Sequence, residues 1–215
     1  MLDAFELPFM QRAALLVVLI APLAGLLGAQ IALRRLAFFT HGVGAATFPG
    51  LVLAGPAALP PALAALGAGG AFAVSSEWLG RRARLTSDAG TALLLVLALA
   101  AGIVLASDVF ESGSEVDQLL FGSLLAIGDA EVLAAGAALL VAGAAAARSR
   151  REWVAAGFDP AGASALGLPK ARGERILLAA IAVGVVACVD STGALLVSAL
   201  LVVPAATARL FARSV

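Results

Sequence analysis

The chain has 215 residues, 62% of them hydrophobic and 13% charged, with a mean hydropathy of +1.04 and a formal net charge of zero. A soluble domain is about half apolar and about a quarter charged. These values therefore exclude an ordinary water-soluble domain, and the neutral balance gives no electrostatic reason to expect nucleic acid as a partner.

The charges fall in clusters separated by long uncharged runs, the pattern of a polytopic helical membrane protein. The expected fold class is all-α, with about six hydrophobic passes including broken or re-entrant segments, in a single transmembrane domain over 1–215. Its location is the cell (plasma or inner) membrane, among lipid. The 23 glycines suit helices that must pack closely where lipid supplies no hydrophobic drive between them. Asp3 and Glu6 open the chain and no basic region precedes the first apolar run, so a cleavable signal peptide is not expected.

Ala13 to Leu33 is long enough to span a bilayer, and Arg34 and Arg35 close it on what the positive-inside bias makes the cytoplasmic side. The next apolar stretch, Leu36 to Gly80, exceeds one span and is interrupted at Phe48-Pro49-Gly50, Gly55-Pro56 and Leu59-Pro60-Pro61. Its flanks are both basic, with Arg81, Arg82 and Arg84 at the far end, so an even number of crossings is required. Leu36–Ala54 is read as going out and Pro61–Leu79 as coming back, with the prolines at the outer turn and re-entry left open. Ala89 to Ser107 crosses next, and Asp108, Glu111, Glu115 and Asp117 mark an external loop. Leu119 to Ala147 returns, as a short helix to Gly128 and a longer one from Val132. Arg148 to Arg175 is a basic cytoplasmic segment. Ile176 to Val189 then climbs to Asp190-Ser191-Thr192-Gly193, and GALLVSALLVVPAATARLF (Gly193 to Phe211) brings the chain back to Arg209. Proline lacks a donor and fixes φ, so this last run is expected to bend or stop at Pro204. The final pair is short for two full crossings, which leaves a re-entrant element open.

Chemistry-bearing residues are few. No Gly-rich loop followed by Lys-Ser/Thr occurs, so the chain has no P-loop of its own, and enzyme readings are weak. The single cysteine, Cys188, excludes an internal disulfide or a thiolate cluster and reads as a small buried apolar residue. The only histidine is His41. An ionisable group at membrane depth is expensive and marks a functional position by default; alternatively His41 sits hydrated at the inner interface beside Arg34 and Arg35. Asp190, the only charge between Arg175 and Arg209, either lines a polar pathway or marks the outer turn favoured by Ser191, Thr192 and Gly193.

Several blocks together carry a family resemblance. LLVSALLVVPAATARL is similar to the signature in the C-terminal third of the permease subunits of zinc and manganese ABC importers. RRLAFFTHGVGAATFPGLVLA resembles their early segment, in which an arginine pair leads to an Asp, a His four residues on, and a Leu-Pro-Gly. In the family that Asp and His are associated with the metal pathway. His41 falls at the Asp position and Ala45 at the His position, while Pro49 and Gly50 match. LLFGSLLAIGDAEV, with departures at Gly128, Asp129 and Ala130, together with FDPAGASALGLP and PFMQRA, extends the resemblance over the whole chain.

The resemblance implies the membrane-spanning permease of an ABC importer for zinc, manganese or iron ions. A homodimer of permeases would form the pathway, a separate ATP-binding subunit would hold ATP-Mg, and an extracytoplasmic metal-binding protein would deliver substrate. No cofactor is expected on this chain itself. His41 is the candidate metal ligand, with Asp190, Pro49 and Gly50 along the pathway. Pro204, Thr207 and Arg209, and secondarily Asp159 and Gly167, are the candidates for coupling to the ATPase. Such permeases usually continue through about two more hydrophobic segments, which this chain is expected to lack. A permease for a metal chelate, or a truncated non-transporting paralogue, stands as the alternative.

Overall fold

The structure, a computed structural model, describes residues 7–82, 87–109, 121–122, 127–159, 162–163, 167 and 170–211. The described residues form helices and no strand: α1 (Pro8–Arg34), α2 (Ala37–Ala54), α3 (Pro61–Arg82), α4 (Ser87–Val109), α5 (Asp129–Phe158), α6 (Lys170–Thr192) and α7 (Val197–Phe211). Five of them, α1 to α5, contain stretches long and apolar enough to cross a membrane. The chain is therefore a polytopic helical membrane protein, as its composition requires. The sixth expected pass, Ile176 to Val189, lies inside α6. The acidic loop read at Asp108 to Asp117 falls almost wholly outside the described residues.

Local signals set the helix ends. Pro8 stands in the first turn of α1, where its missing N–H costs nothing. The chain leaves α1 through Arg35 in the left-handed region (φ 59°), and the Leu36 N–H closes back on the Ile31 carbonyl at 2.9 Å. This is a Schellman-type reversal made without glycine, so α2 starts within two residues of the end of α1. Gly128 precedes α5, and its N–H donates to Glu131 Oε2 at 2.8 Å. The longer helix thus begins at Asp129, three residues before the expected Val132.

Helix α2 is the centre of the bundle. Of its span 72% is buried inside the protein, against 17% of α3 and 22% of α4, whose remaining faces are left to lipid. Around α2 stand α3, α4, α6 and α7. Close approach is possible because α2 carries small residues: a Cβ on Gly50 would lie 2.6 Å from the Ala64 carbonyl of α3. On the α4 side a Cβ on Gly102 would lie 2.5 Å from the Phe48 ring. Helices α1 and α5 run parallel beside this centre. Arg12 pairs with Asp129 at 2.8 Å at one end, and Arg34 Nη2 donates to the Trp153 carbonyl at 3.0 Å at the other.

Two expectations are corrected. Pro204 does not stop its segment: α7 continues from Val197 to Phe211. Pro204 lies on the exposed side, where its ring stands clear of the buried seam of α7 made by Val197 and Leu201. Pro22 and Pro49 are likewise carried inside α1 and α2. The second correction concerns Ala147, taken as the end of a pass. Helix α5 continues through the arginines to Phe158, with one non-helical residue at the buried Ser149 (φ −116°, ψ 15°).

Candidate functional site

The junction of α2 with α7 holds the only histidine. Gly44 lets the chain between α6 and α7 lie directly on α2: a Cβ there would stand 2.7 Å from the Ala194 carbonyl and 2.9 Å from Val197 Cγ1. One turn before it, half-buried His41 places Nδ1 3.1 Å from Ser198 Oγ in the first turn of α7. Ser198 Oγ in turn donates to the Leu195 carbonyl at 3.3 Å. A hydroxyl has one hydrogen. With that hydrogen on Leu195, the serine oxygen accepts from Nδ1–H and the lone pair is left on Nε2; with it on His41, Nδ1 accepts and Nε2 carries the hydrogen. The first arrangement presents the nitrogen through which an imidazole can ligate a metal or take a proton.

The other positions fall at varying distances along the chain from this point. Ala45 is fully buried and offers no donor. Pro49 and Gly50 lie two turns further along α2, where they pack against α4 and α3. Asp190 is in the last turn of α6; its side chain lies outside the described residues. The turn expected there begins later, at Gly193 with φ 82°, after Ser191 and Thr192 have donated to the Cys188 carbonyl at 3.0 and 2.8 Å. Cys188 itself is buried, as expected of a small apolar residue. Among the described residues no group of three or more His, Cys, Asp or Glu is placed to hold a metal ion.

Helix α7 carries the junction to the basic end of the bundle. The eleven steps from Ser198 to Arg209 span about 16 Å at a rise of roughly 1.5 Å each. Pro204 and Thr207 are exposed along the way. Arg209 Nη1 donates to the Ala32 carbonyl at 3.1 Å. Carbonyls in the last turn of a helix lack intrahelical partners and favour a cation, so the end of α7 is tied to the end of α1. Nearby, Arg175 pairs with Glu77 at 3.0 Å, joining α6 to α3. Asp159 ends α5 and starts the next turn, accepting the Gly162 N–H on Oδ1 at 2.9 Å. Gly167 is exposed with φ 69°, a conformation that favours glycine.

Three features escaped sequence reasoning. Ser198 is the partner of His41 across 157 positions, and a lone hydroxyl in LLVSALLVV was the available signal. Trp153 is buried and donates Nε1–H to the Gly173 carbonyl at 2.9 Å, so one residue ties α5 to α6 and, through Arg34, to α1. Gly122 (φ 72°) is pressed against 191–193, where a Cβ would stand 2.5 Å from the Gly193 nitrogen.

A membrane bundle with an enclosed helix, bonded through its histidine to a second helix that reaches the basic end, has the build of a transport subunit. Residues 6–215 match the ABC 3 transport family, and the chain belongs to it. It is 32% identical over 216 residues to an uncharacterized membrane protein of Synechocystis, covering 100% of this chain and 76% of that one. It is 28% identical to the chelated iron transport system membrane protein YfeD of Yersinia pestis, over 99% of this chain and 71% of the relative. It is also 28% identical to the manganese transport system membrane protein MntC of Halalkalibacterium halodurans, over 94% and 69%. In three dimensions it resembles PsaBC from Streptococcus pneumoniae, solved in complex with Fab, with a TM-score of 0.85 at 25% identity, covering 99% of this chain and 77% of that one. The resemblance read from the sequence blocks therefore holds at the level of the family.

Proposed function

We propose that this chain is the permease subunit of an ABC importer that takes up a divalent transition-metal ion, driven by ATP hydrolysis on a separate subunit. The carrying observation is that one helix, α7, touches both ends of the problem: Ser198 bonds His41, and Arg209 is tied to α1 at the basic end. The names of relatives transporting manganese and chelated iron supply the cargo class. A neutral imidazole suits such ions, but one ligand makes a weak site. Weak binding is compatible with passage, since a permeant ion must leave as readily as it enters. Asp190, Pro49 and Gly50 are assigned to the same pathway.

Closure of an ATPase pair moves a permease only through stiff elements that differ between its two states. Pro204, Thr207 and Arg209 are the assigned contact on α7, with Asp159 and Gly167 in the neighbouring cytoplasmic segment. Two permease copies and an extracytoplasmic binding protein complete the assembly. A chelate as cargo is the second reading, favoured by apolar Ala45 beside a lone histidine, because a chelate brings its own ligands. The test is uptake into proteoliposomes by the complex co-purified from its own membranes, with free manganese competing against an iron chelate. ATP-dependent accumulation of free metal supports the first reading, and chelate-only accumulation supports the second. A preparation that lacks an ATPase subunit overturns both.

A further inference from the structure

At the basic end, α1 and α5 enclose a groove of about 290 Å³ lined by Leu26, Gln30, Ala146, Ala147, Arg150 and Val154, with Trp153 at its base. The volume corresponds to about ten water molecules of liquid, room for a small head group but not for acyl chains. Arg150 is exposed and has no ion pair among the described residues. Gln30 lines the groove with its Oε1 buried and without a hydrogen-bond partner, so a turn of the amide toward the groove would let an occupant's hydroxyl satisfy it.

The groove opens onto an apolar stripe. Leu133 and Leu140 of α5, 72% and 75% exposed, repeat every seven residues, and the same spacing leads to Ala147 and then Val154 inside the groove. A chain lying on that stripe ends at Arg150. The positive-inside bias puts this end in the cytoplasmic leaflet, where anionic lipids concentrate and basic pockets between helices hold their head groups.

The geometry points to a specific site for an anionic, hydroxyl-bearing phospholipid such as phosphatidylglycerol. Its phosphate would sit on Arg150, its glycerol hydroxyl on Gln30, and its acyl chain along Leu140 and Leu133. A second copy of this chain fits less well, because this face brings no free carboxylate to Arg150. Asp129 is paired with Arg12 at the opposite end, and Glu152 Oε2 is buried. Trp153 holds the walls fixed through its bonds to Gly173 and Arg34, so the groove is present before the lipid arrives.

The test uses the protein with its co-purified partners in mild detergent, with native mass spectrometry after delipidation and add-back of phosphatidylglycerol, phosphatidylcholine or free glycerol phosphate. One basic residue near an anionic head group is worth about 1 kcal/mol, or about a fivefold preference for phosphatidylglycerol over phosphatidylcholine. The wild type is expected to show that preference at about one lipid per chain. Arg150→Gln is expected to abolish it, and Arg151→Gln, one residue outside the groove, to retain it. Equal retention of both lipids by the wild type overturns the site, and so does equal loss in the two variants. Binding of free glycerol phosphate as tight as that of the lipid overturns the membrane source. A disulfide between two copies carrying Ala147→Cys places a second chain in the groove and overturns the lipid assignment.

Discussion

Replacing Gly44 with alanine puts one methyl group between α2 and the turn that leads into α7. That methyl would stand 2.7 Å from the Ala194 carbonyl and 2.9 Å from Val197 Cγ1, where ordinary contact begins near 3.4 Å. The nearer obstacle is backbone, so the turn must move by about 0.7 Å rather than a side chain rotate. Ser198 is one residue beyond Val197, and its bond to His41 is already 3.1 Å long. A shift of that size takes the pair past the useful range of a hydrogen bond. Overpacking costs about 1–3 kcal/mol and a lost hydrogen bond about 0.5–1.5 kcal/mol. Together they amount to about 1.5–4.5 kcal/mol, which at about 2–4 °C per kcal/mol lowers the melting temperature by about 3–18 °C. The assay is thermal unfolding of the purified protein in detergent, with Gly25→Ala as the control. Gly25 has nothing within 4 Å of an added Cβ, so that change is expected to be neutral or to stabilise α1 by up to about 1 kcal/mol. A Gly44→Ala protein that melts with the wild type would refute the close packing of the turn on α2.

Three further predictions follow from other contacts. Ser198→Ala removes the hydrogen-bond partner of His41 Nδ1, and is expected to weaken metal uptake several-fold while leaving ATP hydrolysis intact; unchanged uptake would show that this bond does not matter. Trp153→Phe removes the bond from Nε1–H to the Gly173 carbonyl and is expected to cost about 0.5–1.5 kcal/mol, read as a lower melting temperature; a shift of under a degree would contradict the pinning role given to Trp153. Replacing Pro204 or Arg209 is expected to uncouple ATP hydrolysis from transport, measured as metal moved per ATP split. Normal coupling in both variants would remove α7 from the mechanism.

The parts legible in the sequence were those set by local chemistry. The limits read for the second and third passes, Leu36–Ala54 and Pro61–Leu79, nearly coincide with Ala37–Ala54 and Pro61–Arg82, because prolines and basic clusters act where they stand. At Pro204 the helix continues where a stop was one of the two expectations, because an apolar run on both sides of the proline keeps its helical bonds, and a sequence does not show that the buried seam of α7 runs through Val197 and Leu201. The overrun of α5 has a similar cause. Charge marks where a helix leaves lipid, while the alanines and arginines of AAAARSRREWV favour helix on either side of that boundary. The His41–Ser198 bond was out of reach because its partners are joined only by the packing of α7 on α2, and no periodicity encodes that. His41 was singled out by its rarity and by the family pattern, and its bond to Ser198 came from the structure.

The central claim is that this chain carries a transition metal through the membrane at the expense of ATP hydrolysed elsewhere. Its most direct test is manganese accumulation in proteoliposomes holding the complex co-purified from native membranes, measured with and without ATP and with wild-type chain or His41→Ala. The account predicts ATP-dependent accumulation in the wild type and a strong reduction in the variant at comparable ATPase activity. Vigorous ATP hydrolysis with no metal accumulated by the wild type, as the free ion or as a chelate, would contradict it.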